Sequence, residues 1–127
     1  MLQKRICIID DDPIYKLITK KLIQKTKLYS ETIEFNNGNE AIIYFETTSY
    51  LPDILLLDIE MPEMDGWEFL DEFCKLEKRI NKESMVYIAS SSIAIEDKLK
   101  ARKYKCVKEF LSKPINLEKL QKIAEQD

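Results

Sequence analysis

Histidine is missing from all 127 residues of the sequence. Catalytic triads that use an imidazole, histidine-ligated zinc sites and phosphohistidine carriers all need this side chain, so these classes are excluded for the chain. Its chemistry must come from carboxylates, hydroxyls, lysines or cysteines.

Cysteine and long apolar runs are both scarce. The three cysteines, Cys7, Cys74 and Cys106, are widely spaced and form no CxxC pair, which predicts neither a disulfide framework nor a thiolate metal site. The first apolar run, residues 6–9, stops at three aspartates, and no segment approaches the ~20 apolar residues that cross a bilayer. We therefore expect a cytoplasmic protein with no signal peptide and no membrane partner.

Glycine is scarce as well, because Gly38 and Gly66 are the only two in the sequence and neither belongs to a linker-like segment. The length fits one domain, since domains commonly have about 100–150 residues, and we expect residues 1–127 to form a single domain with no output domain. The net charge is −3 and 45% of the residues are hydrophobic. This composition predicts a globular core and does not favour direct DNA binding.

Short apolar runs rich in β-branched residues alternate with longer amphipathic segments along the chain. This pattern is typical of a parallel sheet covered on both faces by helices, and it predicts an α/β fold of the (βα)5 type. The predicted strands are residues 5–9, 32–35, 54–57, 85–89 and 107–111. The predicted helices start after Asp12, near Asn39, near Asp65, near Ile95 and after Asn116.

The first predicted helix has apolar residues at core-facing spacing and lysines on its other face. The predicted core-facing residues are Ile14, Leu17, Ile18 and Leu22, and the predicted solvent-facing residues are Lys16, Lys20, Lys21 and Lys25. The third predicted helix has no glycine to stop it within the charged residues 75–82, so we expect an indistinct end and a mobile loop there.

Polar side chains follow four of the predicted strands. Asp10 and Asp11 follow the first strand, Asp58 the third, Ser90 the fourth and Lys113 the fifth. In an open parallel sheet, ligands bind beyond the carboxyl ends of the strands. If the first and third strands are neighbours, the three carboxylates converge and repel one another unless a cation intervenes.

An all-oxygen cluster of this kind suits Mg²⁺, which is bound by one or two carboxylates and keeps sites for water and phosphate oxygens. Lys113 can supply a second positive charge, and Ser90 can donate a hydroxyl hydrogen bond to an incoming anion. Such a set of groups can move a phosphoryl group onto a carboxylate, where positioning and charge neutralisation supply most of the catalysis.

Four segments together resemble the receiver domain of two-component response regulators, and the resemblance covers essentially the whole chain. They are residues 8–13 (IIDDDP), 56–66 (LLDIEMPEMDG), 88–91 (IASS) and 110–114 (FLSKP). Each motif alone is moderately specific, and four in the family's order and spacing are strongly specific. The resemblance implies a flavodoxin-like sheet in the order 2-1-3-4-5, with helices on both faces, in a stand-alone receiver similar to single-domain chemotaxis regulators.

The resemblance also implies a role for each acidic residue of the cluster. Asp58 would be the phosphoacceptor, attacking a phosphohistidine on a histidine kinase or a histidine phosphotransfer protein. Asp11 and Asp58 would bind Mg²⁺ directly, Asp10 mostly through water, and the backbone carbonyl of Glu60 would be a further ligand. In the family, the side chains at the positions of Glu60 and Ser92 tune the lifetime of the phosphoryl group.

The remaining implied roles concern the phosphoryl oxygens and the switch. Ser90 and Lys113 would bind those oxygens, with the Lys113–Pro114 peptide in the cis form. Ser90 would then move toward the phosphoryl group while Phe110 turns into the vacated space. In the family, threonine is commoner at the position of Ser90 and tyrosine is frequent at the position of Phe110. Phe110 has no hydroxyl that could hydrogen-bond to a partner.

The implied output is a change in the face made by the fourth helix, fifth strand and fifth helix, read by an unknown downstream protein. Such a domain is a signalling element and not an enzyme, apart from its own phosphorylation and autodephosphorylation.

Two alternatives remain from the sequence alone. Residues 8–14 also resemble the nucleophile motif of haloacid dehalogenase-like phosphatases, with Ser90 and Lys113 in its second and third motifs. That family needs a later acidic motif after another strand, whereas only Glu118, Glu125 and Asp127 follow here, and Asp58 would have no role. The other alternative is a degenerate receiver that acts as a constitutive interaction module, which would require a missing site residue.

Overall fold

In the computed structural model of the protein, which describes residues 3–48, 50–91 and 94–126, strands and helices alternate along the chain. The strands are β1 (Lys4–Ile9), β2 (Tyr29–Phe35), β3 (Ile54–Leu57), β4 (Met85–Ser90) and β5 (Val107–Ser112). The helices are α1 (Pro13–Thr26), α2 (Gly38–Thr47), α3 (Gly66–Ile80), α4 (Ile95–Ala101) and α5 (Leu117–Glu125). All strand pairs are parallel, in the order β2-β1-β3-β4-β5, so the predicted fold class and sheet order are confirmed.

Two apolar clusters lie on opposite faces of the sheet. Successive residues of β3 point to opposite faces, so Leu55 and Leu57 belong to one cluster while Ile54 and Leu56 belong to the other. The first cluster packs under α2 and α3 and the second under α1 and α5. A strand that is buried on both faces needs an unbroken apolar sequence. The continuous apolar run of β3 therefore predicted a strand although apolar and polar residues do not alternate in it.

The start of β2 was predicted three residues too late. The segment begins with Tyr29, Ser30 and Glu31, of which the last two are exposed. Because β2 is an edge strand that pairs with β1 alone, its first half needs little apolar sequence.

The predicted core-facing side of α1 is wrong for its first three residues, whereas the fourth, Leu22, is half-buried and packs against the second cluster as predicted. Ile14, Leu17 and Ile18 are 68%, 53% and 54% exposed, whereas Lys16, Thr19 and Ile23 are buried. Asp12 caps the helix by accepting hydrogen bonds from two backbone N–H groups. Positions 16, 19 and 23 lie three and four residues apart and therefore share the buried face. Lys16 is tolerated there because its amino group donates to Asn36 Oδ1.

The end of α3 is well defined, contrary to the prediction. Asn81 adopts φ 60° in the left-handed region, and its N–H donates to the carbonyl oxygen of Glu77. Asparagine tolerates this conformation better than most residues, so it ends the helix where no glycine is present. Among the described residues, no helix combines the length and apolar character needed to cross a membrane.

The orientation of α1 can be tested by comparing a buried and an exposed residue. We expect Ile23→Ala to lower the free energy of unfolding by about 2–4 kcal/mol, because it leaves a cavity against the sheet. Leu17→Ala should change it by less than about 0.5 kcal/mol. Urea unfolding followed by circular dichroism measures both, and a larger loss for Leu17→Ala would contradict the observed orientation.

Candidate functional site

The pairing of β1 with β3 brings the acidic residues together at the carboxyl edge of the sheet. Ile9 is the register partner of Leu57, so the residues that follow them lie side by side. The backbone N–H of Asp58 donates to the carbonyl oxygen of Ile9 at 3.0 Å, and that of Asp10 donates to Phe35 at 3.2 Å. The backbone of both aspartates is thereby held by neighbouring strands.

The side chains of Asp10, Asp11 and Asp58 form a compact carboxylate cluster, with one oxygen of each lying within 4.8 Å of the others. Asp10 and Asp58 are 1% and 6% exposed, and Asp11 is exposed. The backbone N–H groups of Ile59 and Glu60 donate to the Asp58 carboxylate. The convergence expected from the strand ends is thus present in the structure.

Lys113 brings a positive charge to this cluster from the end of β5. Its backbone N–H donates to the carbonyl oxygen of Ser90 at 3.0 Å. Its amino group lies 2.6 Å from Asp10 Oδ2 and 3.6 Å from Asp58 Oδ1. The peptide between Lys113 and Pro114 is cis.

One lysine does not balance the negative charge of the cluster. Burial raises the pKa of Asp58 from 3.8 to about 6; Lys113 opposes this shift, and the charge of Asp10 adds to it. Ionisation of Asp58 is therefore less favourable than it is in water, despite the neighbouring amine. A divalent cation would stabilise it, and the all-oxygen donors fit Mg²⁺.

The structure also places three further residues that the sequence singled out, Ser90, Glu60 and Phe110. Ser90 is buried at the end of β4 and pairs with Ser112 of β5. Glu60 is exposed in the segment after β3, and Phe110 is half-buried against the cluster under α2 and α3. Ser92 lies outside the described residues.

Two residues near the site were missed by sequence reasoning. The Tyr15 ring lies 4.3 Å from the Lys113 amino group, where its face can attract the cation. The N–H of Gly66 donates to the carbonyl oxygen of Ile59 at 2.9 Å, and a Cβ at Gly66 would lie 2.6 Å from the carbonyl oxygen of Asp58. Gly66 is the last residue of the segment 56–66 that resembles the family, but the sequence alone does not indicate how closely it approaches the backbone of Asp58.

A model of the response regulator receiver domain family matches residues 6–125, so the chain belongs to that family. Members of this family are domains of two-component signalling and are phosphorylated by histidine kinases. The match gives no support to the phosphatase alternative, which belongs to another family.

Two curated relatives illustrate the sequence similarity. The chain is 35% identical over 74 residues to chemotaxis protein CheY of Thermotoga maritima, a match that covers 58% of this chain and 59% of that protein. It is 34% identical over 86 residues to nitrate/nitrite response regulator protein NarL of Escherichia coli, covering 68% of this chain and 38% of that protein. In both cases the match spans less than two thirds of the relative.

Solved structures are similar over a larger share of the chain. A two component response regulator from Cytophaga hutchinsonii superposes with a TM-score of 0.85 at 28% identity, covering 96% of this chain and 95% of that one. A response regulator receiver protein from Dyadobacter fermentans gives 0.82 at 25% identity, covering 94% and 93%.

The close approach of Gly66 to Asp58 predicts that Gly66→Ala will be costly. The new methyl group would contact backbone atoms of Asp58 and Ile59 that the sheet holds in place, so we expect a loss of about 1–3 kcal/mol in the free energy of unfolding. Chemical denaturation measures this loss. A stability equal to wild type would show that the segment after β3 is free to move.

Proposed function

We propose that this receiver accepts a phosphoryl group on Asp58 from a phosphohistidine of a histidine kinase or histidine phosphotransfer protein. The observation that carries the proposal is the carboxylate cluster of Asp10, Asp11 and Asp58 with the Lys113 amine beside it. A structural role alone does not account for two buried carboxylates and an exposed one sharing a single lysine.

The oxygens around Asp58 are suited to hold Mg²⁺. Both oxygens of Asp10 already accept hydrogen bonds, Oδ1 from the N–H of Asp12 at 2.9 Å and Oδ2 from Lys113. These contacts fit the expectation that Asp10 acts mostly through water. The family resemblance implies that Asp11, Asp58 and the backbone carbonyl of Glu60 are the direct ligands. When bound, the ion would neutralise the carboxylates and the oxygens of the incoming phosphoryl group.

The proposed transfer forms one bond and breaks another. A carboxylate oxygen of Asp58 bonds to phosphorus as the bond between phosphorus and the imidazole nitrogen of the partner breaks, and the electron pair of that bond stays on the nitrogen. The amine of Lys113 and the hydroxyl of Ser90 bind the phosphoryl oxygens. Asp10 keeps Lys113 in position before the donor arrives, and this lowers the entropic cost of orienting the groups for transfer.

The proposed switch couples the phosphoryl group to β5. Ser90 moves toward the new group, and Phe110 turns into the space that Ser90 leaves. Phe110 pairs with Ile88 in the sheet and packs against the core. A rotation of its side chain would therefore alter the surface by changing the packing of neighbouring residues, and not through a hydroxyl group. The face made by α4, β5 and α5 then differs between the two states.

We further propose that residues 1–127 work as one cytoplasmic receiver domain whose output is contact with a downstream protein and not direct DNA binding. The side chains of Glu60 and Ser92 would tune the lifetime of the phosphoryl group.

Phosphorylation by a small donor tests the acceptor directly. With acetyl phosphate and Mg²⁺ we expect one phosphoryl group per chain, located on Asp58 by mass spectrometry, and none after Asp58→Asn or after chelation of the ion. Asp12→Asn is the matched control, since asparagine caps a helix as well as aspartate and should leave the reaction unchanged.

A label on Asp10, or labelling that survives Asp58→Asn, would contradict this assignment. Absence of any label on the wild-type chain would favour the degenerate receiver.

The exposed apolar residues of α1 are the proposed docking surface for the phosphoryl donor. Ile14, Leu17 and Ile18 lie on the helix that begins directly after the aspartates that follow β1. We expect Leu17→Glu to slow transfer at least tenfold from a phosphotransfer protein that labels the wild-type chain, with the acetyl phosphate rate unchanged. Ile43→Glu, at a similarly exposed position on α2, is the control, and equal slowing with both donors would refute this surface.

A further inference from the structure

A pair of thiols lies away from the carboxylate cluster. Cys74 of α3 and Cys106, just before β5, are both free and half-buried, and their sulfur atoms are 2.8 Å apart. Their distance along the chain did not predict this contact. Cys7, the third cysteine, is buried on β1 within the core.

Neighbouring contacts hold the two thiols together. The Tyr104 ring stacks on Trp67 at 5.6 Å, and its hydroxyl donates to Asp71 Oδ1 at 3.1 Å. Positions 67, 71 and 74 lie on one face of α3, so the residues before β5 meet that face at three successive points. The placement of Cys106 against Cys74 is therefore fixed by the packing of the segment.

A bound metal ion is a less suitable explanation of this pair. Glu77 also offers an oxygen within 4.8 Å, which makes three potential ligands. However, two thiolates on one tetrahedral zinc ion lie about 3.8 Å apart, given zinc–sulfur bonds of about 2.3 Å, and these sulfurs are closer. One oxygen of Glu77 is moreover taken by the N–H of Ser84 at 2.8 Å.

We propose that Cys74 and Cys106 are a redox modification site that forms a reversible intramolecular disulfide by exchange with a small disulfide of the glutathione class. One thiolate attacks the small disulfide, forming a mixed disulfide and releasing one reduced thiol. The second thiolate attacks the protein sulfur of the mixed disulfide and releases the other. Two protein thiols are oxidised, one small disulfide is reduced to two thiols, and the two protein protons pass to the released thiolates.

The surroundings of the pair allow access but make the exchange slow. Both cysteines line a surface groove together with six lysines, among them Lys75, Lys78 and Lys103, and three acidic residues, Asp71, Glu77 and Glu83. The excess of lysines gives the groove a net positive charge, which attracts an anionic disulfide such as oxidised glutathione. Burial raises the pKa of both thiols, so the thiolate fraction is small at neutral pH. Equilibrium, and not rate, is therefore the property to measure.

The disulfide would join α3 to the turn that leads into β5. Since the bond closes a loop between positions 74 and 106, it restricts the unfolded chain and should stabilise the fold. The site does not depend on the proposed phosphotransfer, because neither cysteine contacts the carboxylate cluster.

The test equilibrates the full chain with oxidised glutathione, followed by an acid quench and peptide mapping by mass spectrometry. We expect a crosslinked pair of peptides containing Cys74 and Cys106, the loss of two hydrogen atoms in mass, no retained glutathione and a free Cys7. The melting temperature should rise by several degrees and return when dithiothreitol is added.

Cys74→Ser and Cys106→Ser should each abolish the crosslink and the oxidation-dependent shift in melting temperature, while Cys7→Ala should keep both. The peptide map of the wild-type chain shows whether Cys74 and Cys106 are crosslinked even if a variant folds poorly. Thiols that stay free, retained glutathione or crosslinks between chains would overturn the proposal. A reduced chain that resists oxidation but binds one Zn²⁺ through Cys74 would also overturn it, in favour of a metal site.

Discussion

The candidate site depends on the concentration of negative charge at one edge of the sheet. Asp10 and Asp58 are almost fully buried, Asp11 lies within 4.8 Å of them, and Lys113 is the cation that contacts both buried carboxylates. Removing carboxylates from water is costly unless charge and hydrogen bonds compensate. Backbone N–H groups and one amine compensate in part. The pKa of Asp58 stays raised because the remaining cost of burying its charge is not compensated. A divalent cation bound at this cluster would supply the positive charge that one lysine does not.

The sheet produces this concentration through its strand order. Because β1 lies between β2 and β3, the chain returns Asp58 to the side of Asp10 after passing through three other elements, α1, β2 and α2. The close approach of Gly66 to the backbone of Asp58 then fixes the segment after β3. Lys113 arrives from the far edge of the sheet, where its backbone is tied to Ser90. Fold and site are therefore set by the same pairings.

Much of the fold and the convergence of the acidic residues could be predicted from the sequence, because apolar runs locate strands and polar residues mark their ends. The orientation of α1 could not be predicted, because its most apolar stripe faces solvent. A lysine is buried instead, and its amino group is satisfied by a hydrogen bond to Asn36. Periodicity reports where apolar residues lie on a helix, but not which face the sheet covers. The meeting of Cys74 with Cys106 depends on how α3 packs against the chain before β5, which no local pattern encodes.

The central claim is that this carboxylate cluster binds a divalent ion beside the acceptor. Its most direct test is a crystal structure of the protein grown with Mn²⁺, whose anomalous scattering locates the ion. We predict one ion bonded to Asp11, Asp58 and the backbone carbonyl of Glu60, with Asp10 reached through water. A cluster without an ion at saturating Mn²⁺, with the amine of Lys113 lying between the carboxylates instead, would contradict the account.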